Sequence, residues 1–264
     1  AFKSLQGTII LDGKQLTLDK VRAGLRQGEM TGRVTVDHRS GRPKLHLDLT
    51  FGNGSLGTLL NATDLIDAPF RARIDLRGQG DTIREALGKS DGRAGLVAEN
   101  GTISKLVASV LGQDLGKTIG SAIGSDKTVG LRCAAIGFDA RSGLLTASPF
   151  FIDTEISVAR GYGTIDLGEE RIALLISGDT RKSSGLPIVD PINLDGTLSS
   201  PAVRVSDLSS SQRNVGSMLK AIGKSIGAAL GLEKKKGLAM ADIPPIDCAK
   251  LSRQVLASAP APKP

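Results

Sequence analysis

The stretch Leu131–Val205 reads LRCAAIGFDARSGLLTASPFFIDTEISVARGYGTIDLGEERIALLISGDTRKSSGLPIVDPINLDGTLSSPAVRV, and its pattern decides the fold class. Apolar residues recur at every second position, as a half-buried strand requires. Ile152, Ile156 and Val158 mark one face, with Asp153, Glu155 and Ser157 on the other. Ile172, Leu174 and Ile176 repeat the pattern, and Ile192, Leu194 and Leu198 follow it more loosely. Turn residues separate the pieces at Arg141-Ser142-Gly143, at Gly168-Glu169-Glu170 and from Gly178 to Gly185. Ile165 and Leu167 fall on the opposite parity from Ile156 and Val158, so a bulge or bend is expected at Gly161 and Gly163. The expectation is a long sheet with one aliphatic face.

Toward the N-terminus the same period continues. Leu45, Leu47, Leu49 and Phe51 alternate with Lys44, His46, Asp48 and Thr50, after the hairpin signal Ser40-Gly41-Arg42-Pro43. Phe70, Ala72, Ile74 and Leu76 alternate with Arg71, Arg73, Asp75 and Arg77. Asp81-Thr82 caps a short helix over Ile83–Leu87 that Gly88 stops. From Ser104 to about Ile123 the period becomes helical, weakened by Gly112, Gly116, Gly120 and Gly124. Beyond the sheet, Val215, Met218, Leu219, Ile222, Ile226 and Leu230 form a helical stripe, with Lys220 and Lys224 on a more polar side and Lys234, Lys235 and Lys236 after it. Two roles fit: a helix covering the open end of a sheet, or a basic amphipathic helix on an anionic membrane. A last helix is expected over about Asp247–Ala257, after Pro244-Pro245, and residues 259–264 read as a disordered tail.

Composition narrows the partners. The chain has 264 residues, 40% apolar and 23% charged, long enough for one large β domain or two small ones. Aromatics are scarce, with no Trp, one Tyr and six Phe, so any groove is aliphatic and suits flexible chains better than flat rings. A net charge of +7 admits nucleic acid or anionic lipid. Nucleic acid is set aside, because no aromatics interleave with the basic residues and no zinc spacing or basic recognition helix occurs. Cys133 and Cys248 fit either two reduced thiols or one disulfide formed in an oxidising compartment. No apolar run reaches 18 residues, and the chain begins at Ala1-Phe2-Lys3 without Met, so a fragment with a membrane anchor upstream is expected.

Catalytic chemistry is not expected. His38 and His46 flank a turn without carboxylate or thiol ligands at useful spacing, so neither a metal nor another cofactor is assigned. No G-x-S-x-G elbow, phosphate loop or H-E-x-x-H occurs. Asp153 and Glu155 share a strand face, as alternating polar positions do by default.

The ordered series Cys133, Ser142-Gly143, Asp153-Thr154, Gly161-Tyr162-Gly163-Thr164-Ile165-Asp166-Leu167 and Gly196-Thr197-Leu198-Ser199-Ser200-Pro201 resembles the C-terminal region of AsmA-like proteins. LDGKQLTLDKVRAGLRQGEMTGRVTVD and ARIDLRGQGDTIREALGKSDGRAGLVAENGTI in the N-terminal half resemble the family as well. Asp247-Cys248 is similar to its late D-C pair, and this resemblance favours a Cys133–Cys248 disulfide.

The resemblance implies a mainly β fold with peripheral helices. A large curled antiparallel sheet would form a hydrophobic groove, capped by C-terminal helices, as in bridge-like lipid-transfer proteins. One domain would span residues 1–258, with N-terminal strands and a glycine-rich helix over 1–130, the main β run over 131–205 and a helical cap over 209–258. Family members are held in the inner membrane of Gram-negative bacteria and project into the periplasm, where they serve phospholipid transport and outer-membrane biogenesis. The groove candidates are Leu45, Leu47, Leu49, Phe70, Ile74, Leu76, Ile152, Ile156, Val158, Ile172, Leu174 and Ile176. Lys220, Lys224, Lys234, Lys235 and Lys236 are candidate contacts to a membrane surface. The competing expectation is a periplasmic scaffold for outer-membrane proteins, pairing with a partner strand through a sheet edge. A β-rich enzyme acting on polysaccharide is disfavoured by the missing aromatics.

Overall fold

A computed structural model describes residues 3–112, 128–181, 191–205 and 246–259. Among these described residues, thirteen strands form one antiparallel sheet. The N-terminal strands are β1 (Ser4–Asp12), β2 (Gln15–Gly24), β3 (Glu29–Asp37), β4 (Lys44–Ser55), β5 (Ile66–Asp67), β6 (Pro69–Gln79) and β7 (Asp91–Ser104). The C-terminal strands are β8 (Thr128–Arg141), β9 (Leu144–Thr154), β10 (Ser157–Asp166), β11 (Arg171–Thr180), β12 (Ile192–Thr197) and β13 (Ser200–Val205). Spatial order follows chain order from β1 to β13, except that the two-residue β5 pairs with β7 beside the main path. The sheet is an open meander. Tight turns make this possible: Ser142 (φ 48°) and Gly143 (φ 80°) are both left-handed, as a two-residue hairpin loop between Arg141 and Leu144 requires.

Register assigns the faces, because directly paired residues share a side. Val34 pairs with Leu47, and Leu47 with Leu76; Ile74 pairs with Ala94, and Ala94 with Phe138. Ile165 pairs with Leu145 and Ile172, Leu174 with Leu194, and Ile176 with Ile192. One face is therefore aliphatic from β1 to β12. The other carries Lys44, His46, Asp48, Arg73, Asp75, Arg77, Arg93 and Asp139.

The irregularity expected at Gly161 and Gly163 lies beside them in the β9–β10 pairing, where Arg160 meets Phe151 and Thr164 meets Thr146, but the extra residue belongs to β9. β10 pairs with β11 without interruption from Ser157 to Asp166. The irregularity is in β9, where Ile136 meets Phe150 and Phe138 meets Ala147, so three steps of β9 oppose two of β8. That extra residue moves the apolar positions of β9 from Leu145 and Ala147 to Phe150 and Ile152 while keeping them on one face. On β10 the same face is built from Ala159, Gly161, Gly163 and Ile165. Val158 consequently points to the opposite face, beside Asp153 and Asp179, and is not a groove residue. Gly161 has a packing role instead, since the Phe150 ring occupies the space a Cβ would take.

Three short helices lie over the rims of the aliphatic face. α1 (Leu56–Leu60) and α3 (Lys105–Leu111) bury Leu56, Ala108 and Leu111 against Phe70, Ala98, Leu131, Ala134, Ala159 and Ile192. α2 (Ile83–Leu87) brings Leu87 to Leu76, Ala140 and Leu145 at the other rim. As the sequence predicts, Thr82 caps α2 by accepting from Glu85 N at 3.1 Å, and Gly88 ends it. Glu85 Oε1 accepts from Lys89 Nζ at 2.6 Å, and its Oε2 accepts from the Asp81 amide at 3.0 Å. The Lys89 bond, then the Asp81 amide, lower its pKa to about 2. A depressed carboxylate stabilises the fold above its ordinary value, near 4.3, and that contribution fades as pH falls through about 2. A carboxyl NMR titration should place Glu85 near 2, and Lys89→Ala should move the midpoint upward.

The C-terminal helix α4 (Cys248–Val255), N-capped by Asp247, lies on the opposite face rather than over the groove. Leu251 and Val255 pack there on Val97, Cys133, Ala135 and Phe151. The segment expected to cap the sheet before it, 209–245, lies outside the described residues. Ala259, assigned from sequence to the tail, is buried, and its amide donates to Asp75 Oδ2 at 3.0 Å.

Candidate functional site

The candidate site is the aliphatic face. Its shelter is graded along the sheet. On β1, Leu5, Ile9 and Leu11 are 73%, 72% and 73% exposed. Across the middle, Leu47, Leu49, Ile74, Leu96, Ile136 and Ile152 are half-buried. Toward β11, Phe150, Ile172 and Leu174 are buried together. Among the described residues Phe138 and Phe150 form an aromatic pair on this face, edge to face at 6.5 Å between ring centres. Apart from Phe51, Phe70, Met30 and a few glycines, the rest is branched aliphatic or alanine, a surface that conforms to flexible chains.

Of the groove candidates, Leu45, Leu47 and Leu49 on β4, Phe70, Ile74 and Leu76 on β6, Ile152 on β9, and Ile172, Leu174 and Ile176 on β11 share this face. Ile156, in the turn before β10, packs against the same cluster. Sequence reasoning missed Leu96 on β7 and Ile136 and Phe138 on β8, which lie at the centre of the face. Lys220, Lys224, Lys234, Lys235 and Lys236 lie outside the described residues.

The opposite face is closed by ion pairs. Arg73 meets Asp48 at 2.7 Å, Arg93 meets Asp139 at 2.7 Å and Arg71 meets Glu99 at 3.0 Å. His46 Nε2 lies 3.1 Å from the buried Asp75, which also pairs with Arg77 at 3.2 Å. These arginines face away from Ile74 and Leu76, as the alternation predicts, and their charge is already matched.

The Asp153-Thr154 motif has a structural role. Buried Asp153 pairs with Arg181, whose Nε donates to the Thr154 carbonyl at 3.1 Å. Thr154 Oγ1 accepts from the amides of Ser157 at 2.9 Å and Ile156 at 3.3 Å, and Ser157 Oγ donates to Ala108 O at 2.8 Å, tying the β9–β10 turn to α3. Glu155 is exposed and accepts from the Gly130 amide at 2.9 Å, so the two carboxylates are not a pair. Thr154→Val should cost about 1–3 kcal/mol, because it strands buried donors, and urea denaturation reads that loss.

Cys133 and Cys248 form a disulfide across 115 residues. Among the described residues no group of His, Cys, Asp and Glu could hold a metal, and no helix is long and apolar enough to cross a membrane.

The sheet and its two unlike faces define an open antiparallel β protein built to present one aliphatic surface. The family model described as AsmA family matches residues 3–150, more than half of the chain. The chain belongs to the AsmA family. It is similar to the AsmA family protein YhjG of Escherichia coli (strain K12), at 24% identity over 200 residues. That alignment covers 75% of this chain and 29% of the relative, so the chain spans less than a third of that protein's length. No solved structure matches the chain.

Proposed function

We propose that this chain is a periplasmic lipid-binding domain, part of a protein anchored in the inner membrane, that acts in phospholipid transport and outer-membrane biogenesis. Its role is to bind, not to catalyse. The observation that carries this reading is the unbroken aliphatic face from β1 to β12. With strands about 4.8 Å apart, the twelve-strand path spans about 50 Å, against a hydrocarbon core of about 30 Å for a whole bilayer. An acyl tail lying across the strands would gain about 0.8 kcal/mol per methylene removed from water. Headgroups would stay at the wet rim. The disulfide is in keeping with an oxidising compartment.

Native mass spectrometry of the purified chain, with lipid extraction from the same sample, tests the proposal. Stoichiometric phospholipid is the expected result. A stable, lipid-free monomer would overturn autonomous lipid binding.

One observation favours a second reading, a scaffold that takes a partner strand. β1 presents nine residues, all exposed, with no charge between Lys3 and Asp12, whereas the other edge strand, β13, contains Pro201 and Arg204. Pull-down of a β-rich envelope partner that Ile10→Pro abolishes would support it.

A further inference from the structure

The C-terminal segment 246–259 crosses the sheet on the face opposite the aliphatic one and is attached to three neighbouring strands by unlike means. On β8 the attachment is covalent, through Cys133–Cys248. On β7, Ser252 Oγ donates to Glu99 Oε1 at 2.7 Å, and Val255 lies so close to Gly95 that a Cβ there would sit 2.5 Å from the Val255 carbonyl oxygen. On β6 the Ala259 amide donates to Asp75. Beneath the segment lies a second apolar patch, formed by Val97, Ala135 and Phe151, on a face that is otherwise ion-paired.

We infer that 246–259 is a covalently latched strap: the disulfide keeps it docked, and reduction releases it and uncovers the second patch without unfolding the sheet. Two features of the contact carry this. First, the non-covalent hold is small beside the sheet. α4 has eight residues, below the length at which an isolated helix is stable, and the segment buries Leu251 and Val255, with Ile246 and Leu256 half-buried against the same patch. Second, the sheet tolerates its departure. Asp75 keeps Arg77 and His46, and Glu99 keeps Arg71, so neither anchor becomes an unpaired charge when the strap leaves. A segment that completed the core would not leave its anchors so provided for.

The chemistry balances with a dithiol as reductant. The Cys133–Cys248 bond breaks, two electrons and two protons pass to its sulfurs, and the reductant's two thiols close into a disulfide. β6 to β8 also carry Ile74, Leu96 and Ile136 on the aliphatic face, so release removes a brace from behind the centre of the candidate groove.

Hydrogen exchange with mass spectrometry on the full chain tests the latch. Dithiothreitol added to the folded, oxidised protein should speed exchange of the Leu251–Val255 amides at least tenfold, while β3 and β4 change less than twofold. Cys248→Ser should reproduce that state without reductant. If this variant does not fold, the dithiothreitol experiment decides alone. Unchanged strap protection after complete reduction would overturn the inference, because docking would then need no covalent bond. Exchange rising together in strap and sheet would overturn it too, since the disulfide would then hold the whole fold.

Discussion

Leu49→Asp combined with Ile136→Asp should strip copurified phospholipid from the chain by more than tenfold while leaving the sheet folded. Leu49 on β4 and Ile136 on β8 both face the aliphatic side, three strand spacings apart and half-buried, so each new carboxylate can reach water in the lipid-free protein. A bound acyl tail would have to cover both charges, and burying an unpaired carboxylate is costly enough to exclude it. Lys250→Glu is the matched control. It also lowers the net charge by two, but sits exposed on α4 across the sheet. Lipid extraction and circular dichroism on the three proteins read the result. Equal lipid in the double variant and the control would end the acyl-groove proposal.

Leu131→Ala should destabilise the fold by about 3 kcal/mol, within the 2–5 kcal/mol span of buried Leu truncations. Leu131 is 1% exposed and lies in the cluster that joins α1 and α3 to β6, β8 and β10. Removing its branched end leaves a cavity under two helices of five and seven residues, neither long enough to hold its shape alone. Urea unfolding should show a lower midpoint at unchanged slope. A loss below about 1 kcal/mol would mean that α1 and α3 collapse into the vacated space.

Much of the groove was legible because the outer strands obey a simple rule. β4, β6 and β11 each have one wet and one dry face, so Leu45 to Phe51, Phe70 to Leu76 and Ile172 to Ile176 declare themselves by parity. The centre was not legible for the opposite reason. On β7 and β8 both faces are apolar, the groove on one side and the contact with α4 on the other, so Val97, Cys133 and Ala135 alternate with Leu96, Ala134 and Ile136 and no period remains. Val158 failed differently. Its parity with Ile152 holds only if the chain runs straight on, and the β9–β10 turn, which pairs Asp153 with Val158 and Ile152 with Ala159, reverses the count.

Sequence by itself determined the strand periodicity, the hairpin turns at Ser142-Gly143 and Gly168–Glu170, the cap and stop of α2, and the aliphatic character of any groove. These depend on residues close in the chain, where side-chain alternation, backbone preference and capping act locally. Tertiary structure alone decided where the parity changes, which carboxylates are ion-paired, and that α4 braces the back of the sheet instead of closing its groove. Those outcomes depend on pairings between residues far apart, such as Cys133 with Cys248 and Asp75 with Ala259, whose geometry exists only once the strands between them have been laid side by side.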